Sequence, residues 1–201
     1  MTDVKRVGNI PASAEPNYIG EGKSVSESQV EMVELVLPND TNQLGNLLGG
    51  RLMHWIDIIG AMAATRHSNH VCVTAAVDEL RFLNPIKLGE LVILKSSVNR
   101  VFNTSMEVGV KVFSENSLTG VKKHSNSAYL TFVSIDQDSK PVKAVPVHPE
   151  SQEEKRRYEQ ALFRREQRLS HREETNRRWP VEEPPDESGT HRGGKRSGKQ
   201  G

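Results

Sequence analysis

The sequence predicts an α+β domain in which an antiparallel sheet wraps around one long central helix. The first observation is a stretch at residues 48–69 that is apolar on nearly every side of a helix, and a helix of this kind has to be buried. The second is a close succession of four extended segments after it, separated by short turns. Because such a helix cannot bury its own circumference, the sheet is expected to cover it.

The elements follow in chain order. A strand is expected at residues 30–37, where alternate residues are apolar and Pro38 ends the run. Residues 38–46 have turn chemistry, and the helix is expected to begin at 48–50 and to end at 67–69, where basic residues and Asn69 form a stop. Strands are then expected at 73–83, 91–101, 106–112 and 127–135, as antiparallel neighbours.

Composition divides the 201 residues into three parts. A flexible arm is expected at 1–27, the folded domain at 28–140, and a charged, partly helical or disordered tail at 141–201. The last 51 residues contain only 7 apolar residues against 23 charged ones, which is too few for a core. Residues 150–178 place opposite charges at helical spacing and favour an exposed helix, with disorder after Pro180.

Charge and cysteine content argue against several classes of protein. The net charge of +1 is too small to require nucleic acid or another polyanion as partner. The N-terminus lacks the apolar core of a signal peptide, and no apolar run approaches the ~18 residues of a membrane span. Cys72 is the single cysteine, so no internal disulfide can form. We therefore expect a soluble cytoplasmic protein.

One carboxylate stands out in the apolar helix. Asp57 lies in the segment Trp-Ile-Asp-Ile-Ile-Gly-Ala, where an unpaired buried charge would cost several kcal/mol. Its neighbours one turn on are Gly60 and Ala61, which leave room for a substrate or a partner helix. Catalysis is one explanation for this carboxylate. The alternative is a structural pairing with Arg66, with Arg81 or with a partner chain.

Three separated motifs follow one another along the chain. They are Asp40-Thr41-Asn42-x-x-Gly-Asn-x-x-Gly-Gly, the segment around Asp57, and Val77-Asp78-x-x-x-Phe82-x-x-Pro85-Ile86-x-x-Gly89. In order and spacing they resemble the hotdog-fold acyl-CoA thioesterases. The likeness covers about residues 28–137 and is closest to the bacterial short- and medium-chain acyl-CoA hydrolases and the brain-type cytosolic acyl-CoA hydrolases. It implies a hotdog fold and the hydrolysis of fatty acyl-CoA to free acid and coenzyme A, with no cofactor beyond that coenzyme.

The resemblance also implies which residues are catalytic. In that family a carboxylate on the central helix acts with an Asn or Asp just before a Gly-Gly pair, and these fall on Asp57 and Asn46. Asp57 is expected to be general base or nucleophile, and Asn46 to position water or the carbonyl; the alternative for Asn46 is the capping of loop amides. Gly49 and Gly50, at the helix start, are expected to polarise the thioester carbonyl through their amides.

Coenzyme A and a second subunit are the expected partners. The phosphates of the coenzyme are expected near Arg100, Thr104 and Ser105, where the alternative is an ordinary hairpin turn. Asn46 and Asp57 are about 11 residues apart, and a helix rises ~1.5 Å per residue. One of them is therefore expected to complete the site of a second copy across a two-fold axis. The resemblance further implies a trimer of such dimers, a hexamer.

Other readings of the sequence are weaker. His67, His70 and Cys72 are three potential metal ligands within six residues, but the sequence offers no obvious fourth ligand, so no metal site is expected. A non-catalytic acyl-CoA-binding or scaffold protein, with a basic tail that recruits a partner, is motivated by 13 basic residues among the last 51. A hotdog dehydratase would need a histidine in the corresponding turn, and none is there. His54 and Asp78 are expected to be structural.

Overall fold

Seven strands and two α-helices make up the part of the chain described by the computed structural model, residues 22–78, 80 and 84–178. The elements are β1 (Lys23–Ser24), β2 (Val30–Leu35), α1 (Gly49–Ser68), β3 (Val71–Val77), β4 (Glu90–Val101), β5 (Ser105–Asn116), β6 (Lys122–Ile135), β7 (Val147–His148) and α2 (Gln152–Arg178). Five strands form one sheet in the order β2-β4-β5-β6-β3, with every adjacent pair antiparallel. β1 and β7 form a separate parallel pair.

The central helix α1 lies against this sheet, which confirms the predicted α+β hotdog architecture. Its buried side chains include Leu52, Ile56, Ile59 and Ala63, whose spacing places them on one helical face. The helix begins and ends within the predicted limits. Asn69 stops it in the left-handed conformation, at φ 56°, as is common for a residue after the last helical turn.

Side chains of the central strands alternate between the two faces of the sheet. On β5 the valines 108, 110 and 112 are buried in the core beneath α1. The intervening residues face the other side of the sheet, where the first turns of α2 lie. There Lys111 pairs with Glu153 at 2.8 Å, and Ala161 is fully buried. The charged segment at 150–178 thus contributes its first turns to the packing of the sheet.

The four later strands are antiparallel neighbours, as expected, but their order in the sheet is not their order in the chain. Strand β3 pairs with β6 at one edge of the sheet, not with β4. Both sides of β4 are already taken by β2 and β5, so the chain has to cross from the edge to the centre after β3. β3 also ends at Val77; residues 79 and 81–83 of the expected strand lie outside the described residues.

The core extends past the expected domain limits of 28 and 140. Val25 and Val147 are 3% and 4% exposed and belong to the same buried cluster as α1. The chain divides into two compact units, residues 1–163 and 164–201; the described part of the second is the end of α2, which is rich in charge. Among the described residues, no helix is long and apolar enough to cross a membrane.

Candidate functional site

The loop between β2 and α1 is tied to the start of the helix. Asp40 is buried, and one of its carboxylate oxygens lies 2.7 Å from Nε of Arg51. Its other oxygen accepts a hydrogen bond from the amide of Leu37 at 3.1 Å. The backbone carbonyl of Asp40 accepts the amide of Leu48 at 2.8 Å. A single residue therefore bonds to both ends of the loop.

Asn42 and Asn46 close a tight turn inside this loop. Oδ1 of Asn42 accepts the amides of Leu44 at 2.9 Å and of Asn46 at 3.2 Å, and the Asn42 amide donates to the Asn46 carbonyl at 2.8 Å. The loop amides are therefore capped by the side chain of Asn42, and not by that of Asn46. Within the described residues, Nδ2 of Asn42 and the side-chain amide of Asn46 have no hydrogen-bond partner, so both remain able to bind a ligand.

A cavity of about 330 Å³ opens beside this turn. It brings together two of the predicted site residues, Asn46 and Gly49, whereas Gly50 and Asp57 are not among its lining residues. A Cβ at Gly50 would meet nothing within 4 Å, so the space over the helix start is open. The lining residues are Asn42, Asn46, Leu47, Gly49, Leu52, Asn84, Pro85 and Ile86.

Asp57 lies two turns further along α1 and is half-buried. Its Oδ1 accepts a hydrogen bond from Oγ1 of Thr74 on β3, at 2.6 Å. The register of β3 against β6 shifts between Thr74 and Ala76. Arg66, one of the alternative partners, donates to the carbonyl of Gln29, and Arg81 lies outside the described residues. The carboxylate is therefore oriented by a neutral hydroxyl.

The two elements that carry Asp57 and Thr74 also carry exposed apolar side chains. They are between 38% and 61% exposed: Met53, Ile58 and Met62 on α1, and Val71, Val73 and Val77 on β3. Because successive side chains of a strand point to opposite faces and Thr74 points to α1, Val71 and Val73 point away from α1. Exposed apolar patches mark sites of protein–protein contact or ligand binding.

The three residues predicted to contact coenzyme A lie at the β4–β5 hairpin. The guanidinium of Arg100 stacks on the ring of Tyr158, with 4.1 Å between Cζ and the ring centroid, and its Nη1 donates to the Tyr158 carbonyl at 3.2 Å. The carbonyl of Thr104 accepts the Ser134 amide, and that of Ser105 accepts an amide within the hairpin. None of the three lines the cavity beside Asn46.

The His67, His70 and Cys72 cluster is engaged in local bonds. His67 is fully buried and its Nε2 lies 2.9 Å from the carbonyl of Val145; burial lowers the pKa of this imidazole below its ordinary value of 6.5. His70 bonds through Nδ1 to the Ser68 carbonyl, and Sγ of Cys72 lies 3.2 Å from the Ser68 hydroxyl. No group of three potential ligands in the described residues could hold a metal ion.

Comparison with known proteins identifies the family. A model of the thioesterase superfamily matches residues 44–121. The chain is 42% identical over 134 residues to an uncharacterized acyl-CoA thioester hydrolase, YkhA, of Bacillus subtilis, and covers 78% of that protein. This chain belongs to the thioesterase superfamily. It is also 40% identical over 160 residues to acyl-coenzyme A thioesterase 11 of Mus musculus, but it spans only 27% of that longer protein.

Solved structures confirm the hotdog fold of this superfamily member. An acyl-CoA hydrolase from Staphylococcus aureus, solved with butyryl coenzyme A and coenzyme A, has a TM-score of 0.73 at 36% identity and covers 78% of this chain and 95% of its own. A hexameric acyl-CoA thioesterase has a TM-score of 0.72 at 39% identity, over 74% of this chain and 97% of that one.

The spacing of three residues links this superfamily member to variants of the Staphylococcus aureus hydrolase. Alanine variants of that enzyme have been solved at an Asn, an Asp and a Thr, which are separated by 15 and 17 residues. Here Asn42, Asp57 and Thr74 have the same types and, from 42 to 57 and from 57 to 74, the same intervals. Asn42 and Thr74, which the sequence analysis did not propose as site residues, therefore become candidates beside Asp57. The roles of Asp57 and Asn46 stay predictions.

Proposed function

We propose that the protein hydrolyses acyl-CoA thioesters to a free acid and coenzyme A, with Asp57 as the reacting carboxylate. The observation that carries this proposal is the bond from Thr74 to Asp57, which holds a carboxylate in place between two elements that expose apolar side chains. Membership of the thioesterase superfamily supports it, as do the relatives named acyl-CoA hydrolases.

The carboxylate has two routes to the thioester. As a general base, Asp57 takes a proton from water, which then attacks the carbonyl carbon; as a nucleophile, it attacks that carbon itself and water releases the acid afterwards. In both routes the carbon–sulfur bond breaks and coenzyme A leaves. The hydroxyl of Thr74 donates a hydrogen bond to Oδ1 of Asp57. Oδ2 is left to contact the substrate or the water.

The developing oxyanion needs donors, and the loop before α1 offers several. The first amides of a helix have no intrahelical acceptor and lie at the positive end of its dipole; in this chain they belong to Gly49 and Gly50. The side-chain amides of Asn42 and Asn46 add donors beside Gly49. Together these groups would bind the carbonyl oxygen and position the water.

A second copy of the chain is part of the proposal. Asp57 does not line the cavity that holds Asn42 and Asn46, and α1 and β3 both expose apolar side chains. Pairing these elements of two subunits across a two-fold axis would bury such side chains and bring the loop of one subunit to the carboxylate of the other. We propose a dimer built in this way and, by likeness to the hexameric relative, a hexamer of three dimers.

Coenzyme A binding and cellular location complete the proposal. Stacking on Tyr158 uses the face of the Arg100 guanidinium and leaves donors in its plane for phosphate, beside the hydroxyls of Thr104 and Ser105. The free thiol of Cys72 supports a reducing compartment such as the cytoplasm.

The deciding experiment is thiol release from acyl-CoAs of graded chain length. We expect Asp57→Asn to lower kcat by about 10²- to 10⁴-fold, the usual contribution of a general base. Asp138→Asn makes the same chemical change in an exposed turn and should leave kcat unchanged, because this side chain lines no part of the proposed site.

Two further variants separate the asparagines. Asn42→Asp keeps an acceptor for the turn but loses Nδ2, so we expect a marked loss of kcat. Asn46→Asp should keep most of it, because the family that the sequence resembles has Asn or Asp at this position and a carboxylate can still position the water. The opposite order would give Asn46 the larger role. Background turnover by the wild-type protein together with tight coenzyme A binding would instead favour the acyl-CoA-binding or scaffold alternative.

A further inference from the structure

An ion pair lies behind the loop that carries the candidate donors. Asp40 is 6% exposed, and its carboxylate lies 2.7 Å from Nε of Arg51 on the first turn of α1. No other charged group of the described residues pairs with this carboxylate. A buried carboxylate that lost its cation would carry a large desolvation cost, so the pair holds the loop and the helix in one arrangement.

Asp40 fixes the two ends of the loop as well. Its second carboxylate oxygen accepts the Leu37 amide, before the loop, and its carbonyl accepts the Leu48 amide, at the end of the loop. Between these points lie Asn42 and Asn46, with Gly49 directly after. The two asparagines proposed as donors thus lie within one span, both ends of that span are bonded to Asp40, and the glycine donors follow it directly.

We infer that Asp40 and Arg51 are positioning residues for the thioesterase site: they set the distance between the loop amides and the start of α1. The inference rests on the proposed function. The pair itself touches no reacting atom and does not line the cavity beside Asn46. Its effect is on geometry alone, where a displacement of about 1 Å can reduce the rate about 10²-fold.

A separation of kcat from KM tests this role. Arg51→Met and Asp40→Asn should each lower kcat at least about tenfold and leave KM within about twofold, because substrate contacts stay and their alignment is lost. The double variant should be no slower than the slower single variant, since both remove one interaction. Arg51→Lys, which retains a charged donor, should regain part of the rate.

The control is an ion pair of similar length elsewhere. Lys95→Met removes the exposed pair of Lys95 with Glu31, at 3.0 Å, and should change neither constant. Retention of wild-type kcat by Arg51→Met and Asp40→Asn would overturn the inference. So would a rise in KM at constant kcat, which would make Arg51 a substrate contact.

Hydrogen exchange tests the pair independently of activity. In Arg51→Met the amides of Leu44, Asn46 and Leu48 should exchange at least about tenfold faster, because the bonds of the loop open locally. The amides of β4 and β5 should be unchanged. Unaltered loop exchange, or equal acceleration in the central strands, would overturn the positioning role. If the wild-type protein shows no thioesterase turnover, the proposed function fails, and this exchange result still decides whether the pair orders the loop.

Discussion

The hydrogen bond between Thr74 and Asp57 joins an exposed hydroxyl on β3 to the carboxylate proposed to react. Thr74→Val keeps the volume of the side chain and removes the donor. We expect kcat to fall about tenfold or more, because a hydrogen bond to a charged group contributes about 1.5–3 kcal/mol. Thr74→Ser retains the hydroxyl and should keep most of the rate.

The matched control for this change is Thr65→Val, at an exposed position on α1, which should leave thiol release unaltered. Equal rates for Thr74→Val and the wild-type protein would show that the bond has no part in turnover.

His67 gives the protein a predicted sensitivity to acid. Burial lowers its pKa in the folded state, so below about pH 6.5 the unfolded chain binds more protons than the folded one. The stability that comes from the neutral imidazole is therefore present above pH 6.5 and is lost as the pH falls towards the lower folded-state pKa. Urea unfolding at pH 7.5 and at pH 5 measures this loss.

The comparison variants are His67→Gln and His54→Gln. The first should show a smaller loss of unfolding free energy between the two pH values than the wild-type protein. The second replaces an exposed histidine and should show the same loss as the wild type. Identical pH dependence in all three proteins would contradict the role of His67.

Part of the site could be predicted from sequence because charge and apolar pattern conflict there. Asp57 is conspicuous in a run of apolar residues, and an unpaired carboxylate in such a run demands an explanation. Thr74 gives no such signal, since threonine is ordinary in a strand, and its bond to Asp57 depends on the packing of β3 beside α1. Asn42 was not proposed as a site residue for another reason. Asparagine is common in turns, and Oδ1 of Asn42 does accept a backbone amide of the turn, so its residue type suggested a structural role only.

At the scale of elements, Arg100 links the sheet to α2. It stacks on Tyr158 and donates to its carbonyl. Arg100→Met should lower the unfolding free energy by about 1 kcal/mol, from the lost stacking and hydrogen bond. It should also raise KM for acyl-CoA, because the charge proposed for the phosphates is removed.

Lys143→Met, which removes an exposed charge, is the control and should alter neither quantity. A loss of stability with unchanged KM would restrict Arg100 to the docking of α2 and remove it from the coenzyme site.

The helix was easier to predict than the order of the strands. The limits of α1 follow from local features, an apolar run with glycines at its start and Asn69 at its end. The place of β3 depends on contacts remote in sequence: it pairs with β6, some 60 residues later. Alternation identifies a strand and its faces, but it contains no information about which edge of the sheet the strand joins.

At the scale of the whole molecule, subunits with complementary defects test the shared site. Asn42→Asp and Asp57→Asn should each be nearly inactive alone. If each site takes its asparagine from one subunit and its carboxylate from the other, a hybrid dimer contains one intact site. An equal mixture after random exchange should then regain about a quarter of wild-type activity, from half the dimers with one of two sites each.

Exchange of subunits has to be shown in the same experiment, for example with one variant carrying a mass label. A mixture that has exchanged but is no more active than its parents would place both residues in a single chain. An active species of monomer size in sizing experiments would contradict the shared site as well.

The edge position of β3 affects how a newly synthesised protomer behaves before it assembles. Within the described residues its outer edge has no strand partner, so its backbone donors and acceptors are open to any extended chain. Val71, Val73 and Val77 lie exposed along it, with no lysine or proline on the strand to discourage pairing. In the proposed dimer a second subunit would cover that edge, and before it does so the folded protomer is a candidate for aggregation and for chaperone and protease surveillance. Its abundance in a cell would then be limited by the speed of assembly as much as by the stability of the fold.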